Sequence, residues 1–371
     1  MALSAQDRRY IELAVRLGAQ GAGRTWPNPS VGCVIVKDGR VLGRAATAPG
    51  GRPHAETQAL TRAGAAAAGA TAYVSLEPCA HDGATPPCAG ALVAAGIVRV
   101  VTALTDPDPR TAGKGHAALA AAGVEVVADV APEIARAAHR GFISRIERGR
   151  PWLTLKLATS VDGRIATATG ESRWITGPEA RRRVHLMRAR SDAVLVGAGT
   201  ARADDPELTA RGLGPVGQPT RIVVSRHIDL PLDGRLAASA DPGSGAGCLW
   251  ICHGPDAEMD RRAAWTDLGA ETVAVPLGPG RQIDPAGLMS VLAGRGVGEV
   301  LCEGGGAFGA SLLSAGLVDE LVTFTAGLGL GAEGQPGLGA LGVDALVEAP
   351  RFRLISLRQV GADAMAVWHP S

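Results

Sequence analysis

The amino-acid sequence predicts two α/β domains in one chain, on three observations. The chain has 371 residues, longer than one ordinary domain and long enough to bury two cores. Short apolar runs alternate with segments of helical period along its length, as strands interleaved with helices do. The stretch Glu147-Arg148-Gly149-Arg150-Pro151 is charged, contains Gly and Pro, and separates two halves that do not resemble each other. The expected domains are therefore residues 1–147 and 148–371.

In the first half, Ser4 with Asp7 opens a helix whose Ile11, Ala14, Val15 and Leu17 keep the helical period up to Gly18. Val31 to Val36 and Arg40 to Arg44 flank Lys37-Asp38-Gly39, a hairpin signal. An Ala-rich helix runs from His54 to about Ala67, followed by a strand from Ala72 to Leu76. Helices are expected over Ala89 to Ala95, Gly115 to Ala122 and Pro132 to Ile146. Strands over Ile97 to Leu104 and Val124 to Val127 complete a three-layer α/β domain.

In the second half, Trp152 to Ala158 alternates as a strand. Thr176 as N-cap, with Glu179 at the capping-box position, starts a helix. Further strands are expected at Ala193 to Val196, Arg221 to Ser225, Cys248 to Cys252, Glu299 to Cys302, Leu321 to Thr325 and Ala364 to Trp368. The last of these places the C-terminal segment in a sheet.

Composition narrows the partners. Lys and Arg number 37 against 36 Asp and Glu, and aromatics are 3%. That supplies neither a basic surface nor a stacking platform for nucleic acid. Met1 to Arg9 hold no apolar signal core, and no apolar run approaches the length of a bilayer span. A cytoplasmic protein without membrane partners is expected. Six cysteines are no disulfide framework in a chain this long, and in a reducing compartment a Cys cluster points to metal or catalysis. Cys33, Cys248, Cys252 and Cys302 lie in apolar runs and are expected in the core.

The chemistry sits in His54-Ala55-Glu56, Glu77-Pro78-Cys79 and Thr85-Pro86-Pro87-Cys88. His54, Cys79 and Cys88 offer one imidazole and two thiolates. Three such ligands leave the fourth position of a tetrahedral zinc ion open, as in a catalytic site. A closed structural site would need a fourth protein ligand, and His81 is the only close candidate. The ligands fall at helix starts, where thiol pKa values are lowered. The residues resemble the signature of zinc deaminases, in which a glutamate two residues from the histidine moves protons without binding the metal. Cys88 follows Cys79 by nine residues, wider than the compact two-residue gap, so Ala80 to Pro87 must loop out and return. Zinc makes hydroxide available near neutral pH, and Glu56 is expected to act as general base and then general acid, replacing an amino group by a carbonyl.

A longer resemblance is carried by Asn28-Pro29-Ser30-Val31-Gly32-Cys33-Val34-Ile35-Val36, by Pro53 to Glu56, by Leu76 to Cys88, by Asp106-Pro107-Asp108-Pro109 and by Gly113-Lys114-Gly115. These segments are similar to the deaminase domain of the bifunctional riboflavin-biosynthesis deaminase–reductases. The resemblance implies a cytidine-deaminase-like fold and a phosphoribosyl pyrimidine substrate, with Asn28 holding the pyrimidine. The chain departs from that family at Thr47, where a His is common, at Ala84, where Lys or Arg is common, and at Asp108, where Asn is common.

The second half continues the resemblance through Lys156 to Ala166, Gly170 to Thr176, Val196 to Thr200, Ala203 to Thr209 and Glu303 to Gly306. It is similar to the reductase domain of the same family, which has a dihydrofolate-reductase-like fold. Read from the residues alone, Gly304 to Gly309 contains a G-x-G-x-x-G between a strand and a helix. Asp319 and Glu320 precede the next strand, so the acidic residue of a Rossmann unit is misplaced. A Gly-rich turn bringing backbone N–H groups and a helix N-terminus to a pyrophosphate is the better reading, and Gly197-Ala198-Gly199-Thr200 makes a second such turn.

The resemblance assigns Ala158, Trp174, Thr200, Ser225 and the run Gly305, Gly306, Ala307, Phe308, Gly309, Ala310 and Ser311 to NADPH. It assigns Ser172, Arg188, Asp204, Arg211 and Glu303 to the substrate; arginine forks suit a phosphate, and carboxylates suit ribose hydroxyls. Lys156 is a candidate inward-facing neighbour, and Arg226, directly after Ser225, is a candidate contact for a 2′-phosphate. Arg181, Arg182 and Arg183 read as a solvated helix face. No base stands out, in keeping with hydride transfer from a cofactor. A homo-oligomer, dimer or tetramer, is expected. The alternative is another zinc deaminase, of a nucleoside, base or tRNA, with an appended nucleotide-binding domain.

Overall fold

Ser4 caps the first helix, α1 (Ala5–Ala19), by a reciprocal box: its hydroxyl accepts the Asp7 N–H at 3.1 Å, and Asp7 Oδ2 accepts the Ser4 N–H at 3.0 Å. Asp7 also takes hydrogen bonds from Tyr73 and Arg99, at 2.7 and 2.6 Å, which ties the start of α1 to the sheet. The structure is a computed structural model that describes residues 4–81 and 86–371. The chain divides into two compact units between Arg150 and Pro151.

In the first unit, β1 (Gly32–Lys37) and β2 (Arg40–Ala46) form the expected hairpin. They are followed by α2 (Ala55–Ala63), β3 (Thr71–Val74), α3 (Cys88–Ala94), β4 (Arg99–Thr102), α4 (Lys114–Ala121), β5 (Glu125–Val127), α5 (Pro132–Ala138) and α6 (Arg140–Arg148). The sheet order is β2-β1-β3-β4-β5, with β3, β4 and β5 parallel and β1 antiparallel to its neighbours. α1 packs with α5, whereas α2, α3 and α4 pack in series, giving a helix–sheet–helix arrangement around one apolar core.

Two helices depart from the sequence pattern. The Ala-rich helix ends at Ala63 and continues only as a 3₁₀ turn over Gly64–Ala67. The helix expected over Pro132 to Ile146 breaks at His139, where φ is −107°. Its ring is buried and hydrogen-bonds to Ser75 Oγ at 3.2 Å.

The second unit contains β6 (Trp152–Ser160), β7 (Arg164–Ala166), α7 (Pro178–Ala189), β8 (Ala193–Gly197), α8 (Ala198–Asp204), β9 (Thr220–Val224), α9 (Arg235–Ala238) and β10 (Leu249–His253). It continues with α10 (Met259–Asp267), β11 (Glu271–Ala274), α11 (Pro285–Gly294), β12 (Glu299–Cys302), α12 (Gly306–Ser314), β13 (Glu320–Ala326), β14 (Gln335–Pro336), β15 (Phe352–Val360) and β16 (Asp363–Pro370). Nine strands make one sheet in the order β11-β10-β9-β8-β12-β6-β13-β16-β15. β11 to β13 in that order are parallel, and β16 and β15 close it antiparallel. As expected, the C-terminal segment is a strand of this sheet.

Sequence periodicity missed β7, β11, β14 and β15. β15 is an edge strand with exposed residues on both faces, so it carries no alternation of buried and exposed positions. Two further readings are corrected. Thr176 is not the cap of α7: Gly177 occupies that position, and no side chain caps it. Cys248 is exposed, whereas Cys33, Cys252 and Cys302 are buried. No helix among the described residues is long and apolar enough to cross a membrane.

Candidate active sites

In the first unit, the carboxyl end of β3 feeds the loop that carries Cys79, and the starts of α2 and α3 converge on it. His54 occupies the N-cap position of α2 and Cys88 opens α3. His54 Nδ1 lies 3.3 Å from Cys88 Sγ and 3.8 Å from Cys79 Sγ, and the Cys88 N–H donates to Cys79 Sγ at 3.4 Å. One donor atom from each residue lies within 4.8 Å of the others. His81 is not part of the cluster; its Nδ1 is 3.4 Å from Thr111 Oγ1. Two thiols and an imidazole form a donor set suited to zinc, with no fourth protein ligand among the described residues.

Glu56, in the first turn of α2, is 3% exposed and its Oε2 has no hydrogen-bond partner. Burial, with Cys79 nearby, raises its carboxyl above the ordinary range. A buried carboxylate oxygen without a partner is costly unless something enters the site to meet it. That orphaned atom beside the donor set is the observation that fits a metal-assisted hydrolytic centre. Hydrogen bonding from Cys88 lowers the Cys79 thiol to about 4, against the effect of burial, whereas sharing that bond raises Cys88. A cation bound between them would favour both sulfurs as thiolates.

Glu77 lies two residues before Cys79, and its local sequence assigns it no role. It is buried, and its two oxygens accept four backbone N–H groups: Asp106 at 3.2 Å, Gly113 at 2.9 Å, Gly115 at 2.8 Å and His116 at 3.2 Å. It therefore anchors the Cys79 loop to the start of α4. These partners lie 29 to 39 residues on, so no local spacing could reveal them.

Asn28 Nδ2 donates to the Gly51 carbonyl at 3.0 Å, joining two loops. Thr47 is buried, its hydroxyl accepting the Val31 N–H at 3.0 Å. Asp108 is buried and takes a bidentate ion pair from Arg110, with contacts of 2.9 and 2.5 Å to Oδ2. Ala84 lies outside the described residues.

In the second unit, the Gly-rich turns follow the adjacent parallel strands β8 and β12. A Cβ on Gly197 would meet Phe308 Cβ at 3.2 Å, and one on Gly305 would meet Thr200 Oγ1 at 2.8 Å. The turns touch, and they can do so only because these residues are small. The N-terminus of α12 starts at the second of these turns, and a helix start beside a Gly-rich turn is suited to a pyrophosphate. Asp319 instead accepts the Leu153 N–H at 2.8 Å, away from a Rossmann position. Ala158 lies on β6, and Ser225 Oγ donates to Asp229 Oδ1 at 2.6 Å. Gly309 and Ala310 are buried on α12, Ala307 is exposed, and Ser311 Oγ donates to the Phe308 carbonyl at 2.8 Å. Trp174 is 67% exposed and Arg181 lies 4.4 Å over its ring, so Arg181 is not merely a solvated residue.

Of the expected substrate residues, Arg188 and Glu303 face each other. Arg188 Nε donates to Glu303 Oε1 at 2.5 Å, Nη2 to Oε2 at 2.9 Å, and Nη1 to the Thr209 carbonyl at 2.9 Å. The fork read as a phosphate ligand is committed to a carboxylate. Burial alone would raise Glu303, but Arg188 and Lys156 hold it below the ordinary range, and burial lowers Lys156. Arg211 pairs with Glu207 beside a cleft of about 440 Å³. The Asp204 carbonyl accepts from Arg173 and Arg235, and Ser172 is half-buried nearby in sequence.

Fold and sites together define a two-part enzyme: a metal-assisted hydrolytic centre in one α/β unit and a nucleotide cradle in the other. Residues 4–104 match the zinc-binding region of cytidine and deoxycytidylate deaminases, and residues 151–366 match the RibD C-terminal domain. The riboflavin biosynthesis protein RibD of Escherichia coli is 41% identical, with 96% of this chain and 98% of that protein covered. The RibD of Aquifex aeolicus is 37% identical, with 96% of each covered. A solved structure of Acinetobacter baumannii RibD superposes with a TM-score of 0.88 at 37% identity, covering 99% of both chains. A Thermotoga maritima diaminohydroxyphosphoribosylaminopyrimidine deaminase/5-amino-6-(5-phosphoribosylamino)uracil reductase superposes with a TM-score of 0.85 at 29% identity, also over 99% of both. The chain belongs to the RibD family of riboflavin biosynthesis proteins, which join a deaminase and a reductase in one polypeptide. Its units have the cytidine-deaminase-like and dihydrofolate-reductase-like folds expected from the sequence.

Proposed function

We propose that residues 1–147 deaminate 2,5-diamino-6-(5-phosphoribosylamino)pyrimidin-4(3H)-one and that residues 148–371 then reduce its ribosyl group to a ribityl chain. The observation that carries the first half is the unpartnered Glu56 Oε2 beside the His54, Cys79 and Cys88 donors. Zinc held by those three residues supplies Lewis-acid activation of water. Glu56 then accepts a proton from the attacking water and passes it to the ring nitrogen and the departing ammonia. Its buried position, which raises the carboxyl, suits a group that holds a proton between the two transfers.

In the second half, NADPH supplies the hydride that opens the ribosylamino sugar. Gly305, Gly306 and Thr200 line the cofactor turn, with Ala158, Trp174 and Ser225 placed around it. Arg188, Glu303, Asp204, Arg211 and Ser172 hold the ribosyl phosphate, and Lys156 lies in the electrostatic field of Glu303, Arg188 and Asp204. Substrate would have to compete for the Arg188–Glu303 pair or bind it as a unit. Asn28 orients the pyrimidine from its loop beside Gly51.

The protein works in the cytoplasm as a homo-oligomer, on a small molecule, without nucleic acid or membrane. The exposed edge strand β15, with Leu357 64% exposed, supports self-association. One assay tests the main reading: the pyrimidine substrate is supplied to the purified protein, and ammonia and NADPH are followed together. Glu56→Gln is expected to abolish ammonia release while sparing NADPH oxidation with the deaminated substrate. Simultaneous loss of both would count against separate sites, and ammonia release from cytidine or an RNA would favour the other deaminase reading.

A further inference from the structure

The loop from β4 to α4 is tied to the Cys79 loop along its length. Glu77, two residues before Cys79, accepts the Asp106 N–H at 3.2 Å and the Gly113 N–H at 2.9 Å. Thr111 Oγ1 lies 3.4 Å from His81 Nδ1, two residues after Cys79. At about 3.8 Å per residue, His81 is no more than about 8 Å along the chain from that metal donor. Between these ties the loop carries a fixed cation. Asp108, its side chain 7% exposed, accepts the Arg110 backbone N–H at 2.9 Å and Nε at 3.0 Å on Oδ1, and Nη2 at 2.5 Å on Oδ2. Asp108 is itself held, its N–H donating to Asp106 Oδ1 at 2.8 Å. The Arg110 side chain is 72% exposed.

An exposed arginine samples many rotamers, and fixing one costs side-chain entropy. Here a buried carboxylate fixes it, through the Nε and Nη2 side of the guanidinium only. Nη1 hydrogen-bonds to none of the described residues, so the Nη1–Nη2 edge remains available. That edge can engage a phosphate with two parallel N–H groups. Hydrogen bonding from Arg110 holds the Asp108 carboxyl below the ordinary range, so the pair stays ionised at neutral pH. The sequence points the same way. Asp108 stands where the related enzymes commonly have Asn, which could not hold a guanidinium as an ion pair. Thr47 and Ala84 are uncharged where those enzymes commonly have a basic residue. The substrate's amino group must meet the metal, which leaves its phosphate, beyond the ring and the ribose, for the rim. We propose that Arg110, positioned by Asp108, binds the phosphate of the phosphoribosyl pyrimidine at the deaminase site. This rests on the deaminase reading of the proposed function.

The test is steady-state ammonia release from 2,5-diamino-6-(5-phosphoribosylamino)pyrimidin-4(3H)-one and from its dephosphorylated ribosylamino counterpart. Arg110→Ala, at an exposed position, is expected to raise KM for the phosphorylated substrate roughly ten- to a hundredfold, with kcat unchanged within about twofold. KM for the dephosphorylated compound should stay within about twofold of wild type. Arg110→Lys should recover part of the loss, because it restores the charge without the fork. Asp108→Asn should raise KM less than Arg110→Ala does, and should add nothing in the double variant, since it acts only through Arg110. Unchanged KM in Arg110→Ala, an equal rise for both compounds, or loss of bound zinc in that variant overturns the assignment while leaving the deaminase reading in place. Failure of the wild-type protein to release ammonia from the phosphorylated substrate removes both.

Discussion

Glu77 Oε1 accepts the Gly115 N–H at 2.8 Å, and a Cβ on Gly115 would come within 1.9 Å of the Pro78 carbonyl oxygen. The start of α4 therefore presses directly on the loop that presents Cys79. Gly115→Ala should destabilise the protein by about 1–3 kcal/mol, because the contact is backbone and cannot move aside as a flexible side chain would. Glu77→Gln leaves one donor-bearing end facing N–H groups and should cost about 2 kcal/mol or more. Both variants should lose zinc more readily, measured as metal content after dialysis against a weak chelator. Full retention in both would show that the Cys79 loop holds itself.

Stripping the metal should separate the two activities. With a strong chelator, or in Cys88→Ser, ammonia release is expected to vanish while NADPH oxidation with the deaminated substrate persists. The reductase cradle contains none of His54, Cys79 and Cys88, so a parallel loss of reduction would point to a broader structural role for zinc.

Arg188 and Glu303 should behave as a unit. Removing one partner leaves a buried charge alone, so Arg188→Met or Glu303→Leu should each cost about 3–5 kcal/mol, whereas the double variant should cost less than the two together. Urea denaturation of the three variants measures the coupling. Simple additivity would mean that the two groups do not stabilise each other.

The cofactor turn offers a steric test. Gly305→Ala places a methyl 2.8 Å from Thr200 Oγ1 and should weaken NADPH binding at least tenfold with little change in melting temperature. Pairing it with Thr200→Ser keeps the hydroxyl, and Thr200→Ala, which removes it, should restore part of the affinity.

His139 supplies a pH dependence. Burial pushes its imidazole down to about 4 from an ordinary value of 6.5, so the folded protein holds it neutral where the unfolded chain would protonate it. Its contribution of about 3 kcal/mol is present above pH 6.5 and is lost as pH falls toward 4. The stability of wild type relative to His139→Gln should decline over that window. A difference flat from pH 7 to pH 4 would place His139 in a more polar setting.

The local pattern of the chain determined much of this. The capping box at Ser4, the β1–β2 hairpin and most parallel strands follow from periodicity and turn chemistry, which act over a few residues. The spacing of His54, Glu56, Cys79 and Cys88 marked a metal-assisted hydrolytic centre, because ligand chemistry restricts residue types wherever the chain brings them. Resemblance, not spacing, supplied most of the reductase residues.

Tertiary structure decided what depends on distant neighbours. It interrupted a helix at His139 because the ring packs beside Ser75, and it made β15 a strand through pairing with β16, without a buried face to announce it. It joined Glu77 to the start of α4, matched Arg188 with Glu303, laid Arg181 over Trp174 and brought Arg226, Asp256 and Arg281 together from three strand ends. A sequence records which groups can ionise or donate; only the fold fixes which of them meet, how much water they lose, and therefore which charges remain to be satisfied by a ligand.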